Sequence, residues 1–110
     1  MKVKFSKEKR KPHYPLARIK ALIREGGYRV TRTAMRCATN DFGFSEPAEI
    51  AEAILSLDNS DFLKSMTMLR DSAIWQDVYR PDVGGIPAYV KVQIVDIMTV
   101  VISFKSLEDD

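Results

Sequence analysis

Five polar residues fall in the second half of the chain, where the sequence otherwise reads as strand: Lys64, Gln76, Arg80, Tyr89 and Lys91. Between them they carry most of what breaking a ribose–phosphate linkage without a metal requires. A base must activate the 2′-hydroxyl, an acid must protonate the departing 5′-oxygen, and cations must stabilise charge on the phosphate. Lysine and arginine meet the last need directly. A tyrosine or lysine moves a proton near neutral pH only if its pKa is drawn down from about 10. Taken alone, the pattern favours a plainer reading, in which these are solvent-facing positions of ordinary strands.

Other chemistries find less support. A single cysteine closes no internal disulfide and builds no cysteine-based zinc site, and a single histidine has no second histidine to pair with. Cys37 reads as a small buried hydrophobe on a helix, and His13 as a surface residue beside a proline in preference to a contact with a phosphate or a base. The acidic residues are dispersed, and Gly26-Gly27 and Gly84-Gly85 fit neither a phosphate loop nor a dinucleotide fingerprint. No metal or other cofactor is expected. No apolar run approaches the ~20 residues of a membrane span, and Met1–Phe5 is basic without the apolar run of a secretory signal. The expectation is a cytoplasmic protein with no membrane partner.

At 110 residues, 45% apolar and 29% charged, the chain has the size and composition of one ordinary globular domain. Its net charge of +2 conceals a division. Residues 1–36 carry twelve Lys/Arg against two acids, a net +10, while residues 37–110 carry five against thirteen, a net −8. Such asymmetry points to a polyanionic partner for the basic part, since each cation that meets a phosphate releases counterions. A merely solvated arm would carry the same charge.

The elements that must position these groups follow from periodicity. Leu16, Ile19, Leu22 and Ile23 recur at helical spacing after Pro15 and stop at Gly26-Gly27. Tyr28–Val30 reads as a brief extended piece. Thr31 or Thr33 caps a second helix through Ala34, Met35 and Ala38, ending between Asn40 and Gly43. Ser45 is the expected cap of a third, which buries Ile50, Ala51, Ile54, Leu55 and Leu57; one further turn follows through Leu63. Extended segments then cover 64–70, 74–80, 88–94 and 99–104, rich in Val, Ile, Thr and aromatics. Helices first and strands later predict an α+β domain, with amino-terminal helices packed on one face of a mainly antiparallel sheet formed by the second half. Alternation puts Tyr89, Lys91 and Gln93 on one side of their strand and Val90, Val92 and Ile94 on the other. It puts Gln76 on the side of Ile74 and Val78. Gln76 therefore reaches an open face only through a bulge or a strand packed on both sides.

Several segments carry a family resemblance. Asp61-Phe62-Leu63-Lys64-Ser65-Met66-Thr67, Ile74-Trp75-Gln76-Asp77-Val78-Tyr79-Arg80-Pro81, Ala88-Tyr89-Val90-Lys91 and Val101-Ile102-Ser103-Phe104-Lys105 resemble the signature of the MqsR family. Lys11-Pro12-His13 and Thr31-Arg32-Thr33-Ala34 fit the same pattern, so the likeness covers roughly residues 9–105. The resemblance implies a RelE-like fold and the toxin of a type II toxin–antitoxin system. It implies an endoribonuclease that cuts mRNA at GCU-like sites without the ribosome. It assigns catalysis to Lys64, Gln76 and Tyr89 and matches Arg80 and Lys105; substrate binding is expected of Arg80, Lys91 and Lys105. The implied partners are mRNA and a cognate zinc-containing, DNA-binding antitoxin, with DNA reached only through the antitoxin. On this reading the chain divides into a basic flexible arm (1–11), a single RelE-like toxin domain (12–106) and an acidic tail (107–110). Attack by the 2′-hydroxyl, with no metal, would leave a 2′,3′-cyclic phosphate or 3′-phosphate and a 5′-hydroxyl. Lys64 and Tyr89 are the candidates for proton transfer.

A competing expectation is a non-enzymatic nucleic-acid-binding regulator. Residues 16–38 can be written as two helices around a glycine turn, with Arg29, Arg32 and Arg36 on the second, in the manner of a helix-turn-helix.

Overall fold

The helical spacing after Pro15 becomes α1 (Leu16–Arg24) in the computed structural model, which describes residues 6–107. Leu16, Ile19, Leu22 and Ile23 form its buried stripe. The Gly26 and Gly27 N–H groups close the helix on the carbonyls of Ile23 and Leu22, with Gly26 at φ +81°. After β2 (Tyr28–Val30), α2 (Arg32–Phe42) is capped by Thr31, whose Oγ1 accepts from Ala34 N (3.1 Å), and it ends at Gly43, φ +72°. The third helix, α3, spans Pro47–Leu55. Its cap is Glu46 and not the expected Ser45, because Glu49 reaches back and accepts from Ser45 N, Ser45 Oγ and Glu46 N. A single 3₁₀ turn at Asn59–Asp61 stands where a further helical turn was expected.

The strands are β3 (Phe62–Thr67), β4 (Trp75–Tyr79), the short β5 (Asp82–Val83), β6 (Ile86–Val95) and β7 (Met98–Ser106). The first of the extended segments stops at Thr67; Leu69 and Arg70 are exposed in the connection to β4. Asp96, at φ +55°, makes the tight β6–β7 turn in which Val95 pairs with Met98. Aspartate tolerates that left-handed conformation, so the turn needs neither glycine nor proline.

With β1 (Glu8–Lys9) at one edge, the main sheet runs β1-β3-β4-β6-β7-β2, antiparallel except where β2 meets β7, with β5 paired to β6. This is the expected α+β arrangement of early helices and later strands. Two short strands from the first half also border the sheet: β2 on one edge and β1 on the other. Residues 8–9 of the expected flexible arm are thus sheet, paired with Met66 and Ser65. Residues 1–5 of the arm and 108–110 of the acidic tail lie outside the described residues. The helix-turn-helix reading does not hold. Between α1 and α2 runs β2, hydrogen-bonded in parallel to β7, and α2 packs along β7 and not beside α1 as a recognition unit would.

All three helices cover one face. Ile19, Ile50, Ile54, Val90, Val92, Val101 and Phe104 are fully or almost fully buried between the layers. Each such side chain contributes about 1.5–3 kcal/mol by leaving water. No helix among the described residues is long and apolar enough to cross a membrane.

Candidate active site

Two bulges decide which side chains reach the uncovered face. In β3, Phe62 stands opposite Tyr79 but Lys64 stands opposite Val78, with the irregularity between them. Without it, Phe62 and Lys64 would share a side. With it, Phe62 turns to the helices, its ring 5.5 Å from that of Tyr79, and Lys64 turns away from them. In β7, Val101 pairs with Val92 and Ser103 with Lys91, leaving Ile102 as the extra residue. Val101 thereby enters the core while Ser103 and Lys105 take the uncovered face. Lys105 pairs with Tyr89, and Lys91 and Lys64 flank Val78 from either side.

Lys64, Gln76, Tyr89, Lys91 and Lys105 consequently share one surface. The Lys105 and Lys91 ammonium groups lie 5.5 and 5.9 Å from the centre of the Tyr89 ring. Gln76 Nε2 donates to Gln93 Oε1 at 2.8 Å, one step beyond the Asp77–Val92 pair. Gln76 is only 6% exposed and Val78 is fully buried, so β4 is packed on both sides. This answers the alternation problem: Gln76 and Val78 form the floor of the uncovered face. A groove of about 310 Å³ runs over Gln76, bounded by Met66, Met68, Arg70, Lys91 and Ile102.

Arg80 stands apart. It follows β4 and lines a different depression with Ser60, Leu63 and Pro87. A somewhat larger hollow of about 360 Å³, lined by residues such as Ala53, Asp61 and Val83, holds no lysine or arginine. His13 lies elsewhere, stacked on Trp75 at 5.5 Å and close to Lys9 Nζ (3.0 Å). Cys37 is half-buried and not fully enclosed. Among the described residues no three His, Cys, Asp or Glu side chains gather as a metal site.

Sequence reasoning passed over one member of the site. Glu8 Oε2 lies 2.7 Å from Lys64 Nζ. Its only signal was its rarity, as one of two acids in a strongly basic stretch.

The charges act on one another. Burial holds the Tyr89 phenol above its ordinary pKa; Lys64 pulls it down and Glu8 pushes it further up. Burial lowers Lys91, and the neighbouring Lys105 and Lys64 ammonium groups lower it further. The group drawn toward neutrality is therefore Lys91 and not Tyr89. The Lys64 hydrogen bond holds Glu8 below the ordinary carboxylate value, against a smaller opposing effect of burial.

Residues 11–106 match the family described as "Motility quorum-sensing regulator, toxin of MqsA". The chain is also similar to an Escherichia coli (strain K12) protein named mRNA interferase toxin MqsR, with 39% identity over 99 residues, covering 89% of this chain and 97% of that protein. Matched over nearly its whole length on both counts, the chain belongs to the MqsR toxin family.

Proposed function

We propose that this protein is the toxin of a type II toxin–antitoxin pair and acts as an endoribonuclease on mRNA, cutting GCU-like sites without the ribosome and without a metal ion. The observation that carries the reading is the gathering of three lysines, a tyrosine and a glutamine on the one face the helices leave uncovered. The name of the E. coli relative supports the same activity.

In this reading Lys64, Lys91 and Lys105 surround the scissile phosphate and stabilise the charge that builds in the pentacoordinate transition state. Preorganised cations do this best where water is partly excluded, as at half-buried Lys91. Tyr89 stays protonated at neutral pH and donates to the leaving 5′-oxygen. Gln76, fixed by Gln93, orients the ribose or a base edge with its remaining amide groups. Arg80, in its separate depression beside Leu63 and Pro87, holds a neighbouring phosphate of the same strand. A zinc-containing, DNA-binding antitoxin is the proposed protein partner, with DNA reached only through it, and the cytoplasm is the proposed location.

The test is incubation of the purified protein with a defined transcript in excess chelator, with mapping of the cut ends. Cleavage leaving 2′,3′-cyclic or 3′-phosphate and 5′-hydroxyl ends is expected. Alanine at Lys64, Gln76 or Tyr89 should suppress it in proteins that still fold. RNA left intact by the wild type would refute the reading.

A further inference from the structure

The geometry points to Glu8 as the general base of the cleavage, the group that takes the proton from the attacking 2′-hydroxyl; this rests on the ribonuclease reading above.

β1 is only two residues long, yet it is fastened at several points. Lys7 N donates to Thr67 Oγ1 (2.9 Å), Thr67 N donates to Lys7 O (3.0 Å), and Asp77 accepts from His13 N and Tyr14 N. Pairing with Met66 turns Glu8 onto the uncovered face beside Lys64. Lys9 goes to the reverse, where its ammonium lies 4.2 Å from the centre of the Trp75 ring. The segment thus delivers one carboxylate to the face that carries Lys64, Lys91 and Lys105. The acid at the centre of β4, Asp77, is fully buried on the other side.

At their ordinary pKa values lysine and tyrosine hold their protons at neutral pH, whereas a glutamate is ionised and can accept one, and Lys64 lowers Glu8 further. The charged and titratable groups that act on it are Lys64 from β3, Arg10 from its own segment and Tyr89 from β6. When a phosphodiester binds, its oxygens take over the Lys64 ammonium and add negative charge nearby. Both changes strengthen Glu8 as a base at the moment of use. The 2′-oxygen then passes its proton to the Glu8 carboxylate and bonds to phosphorus. The bond from phosphorus to the 5′-oxygen breaks, and that oxygen takes the Tyr89 proton. The products are a cyclic phosphate and a 5′-hydroxyl; proton exchange with water restores both side chains.

The decisive experiment compares two RNA oligomers carrying GCU steps, one ordinary and one with sulfur in place of the 5′-oxygen at the scissile step. A thiolate leaves without an acid, so the second substrate relieves the need for Tyr89 but not for the base. With ordinary RNA, Glu8→Gln and Tyr89→Phe should each lower kcat about 10²–10⁴-fold. With the sulfur substrate Tyr89→Phe should recover and Glu8→Gln should not. Full kcat in Glu8→Gln, rescue of Glu8→Gln by sulfur, or a change confined to KM would overturn the assignment, the last showing that Glu8 only positions Lys64. A wild type inactive on both substrates would instead refute the ribonuclease reading itself.

Discussion

Replacing Asp77 should loosen the amino-terminal segment and with it the cleavage site. Asp77 is fully buried and accepts from His13 N at 3.1 Å and Tyr14 N at 2.9 Å. A hydrogen bond to a charged acceptor contributes about 1.5–3 kcal/mol. Asp77→Ala removes both, and because His13 and Tyr14 can partly recover by meeting water, the expected loss lies at the low end, about 3 kcal/mol. Asp77→Asn keeps one carbonyl acceptor, worth about 1 kcal/mol, and should lose about 2 kcal/mol. For a domain of this size these correspond to Tm decreases of roughly 10–20 °C and 5–15 °C. The assay is built into the chain. Trp75 is the only tryptophan, His13 stacks on it, and Tyr14 Oη donates to its carbonyl at 2.8 Å, so its fluorescence reports whether the segment is docked. Thermal unfolding followed by Trp75 emission should show the graded loss, and RNA cleavage measured well below Tm should fall as Glu8 loses its place. Should both variants melt within about 2 °C of the wild type with unchanged emission, the segment is held by something other than Asp77.

Three further expectations follow from the same structure. Burial and Lys9 lower the pKa of His13 against the pull of Asp77, so the unfolded chain takes up a proton first. Stability should therefore be intact above the unfolded value of about 6.5 and fall as pH drops from there to the lowered native value, a slope that His13→Gln should abolish in denaturant titrations. Cleavage that needs the Lys91 ammonium should lose kcat/KM at a pH below the ordinary lysine value; Lys105→Met should move that alkaline limb upward, and Lys91→Arg should remove it. Thr31→Ala should cost about 1–2 kcal/mol in urea unfolding, because Oγ1 both caps α2 and donates to Ile102 O (3.2 Å), while Thr31→Ser should recover most of it.

Much of this was legible in order of residues. The stripe of α1, a threonine cap at 31 or 33 and the Tyr89, Lys91 and Gln93 face of β6 all follow from local spacing, and the folded chain uses Thr31. What escaped was set across the sheet. A two-residue period would place Phe62 with Lys64, and only the bulge, fixed by how β3 meets β4, separates them. Gln76 lies beside Val78 in a strand covered on both sides, so burial there says nothing of face. Glu8 and Lys9 form a strand too short to show any period, and their partners Met66 and Ser65 are more than fifty residues away. Ser45 lost its expected role to Glu46 because Glu49 folds back onto the N–H groups of Ser45 and Glu46, which starts the helix one residue later, at Pro47.

The position of β7 has a consequence for synthesis. It lies inside the sheet, between β6 and β2, although β2 precedes it by some seventy residues and waits unpaired. A nascent chain that has not yet released β7 from the ribosome lacks the partner of β2, one of the partners of β6, the surface on which α2 settles, and Lys105. Emergence of this strand is thus the step that closes the sheet and completes its set of lysines. A transcript truncated ahead of it encodes a chain with neither Lys105 nor the strand that joins β2 to the sheet.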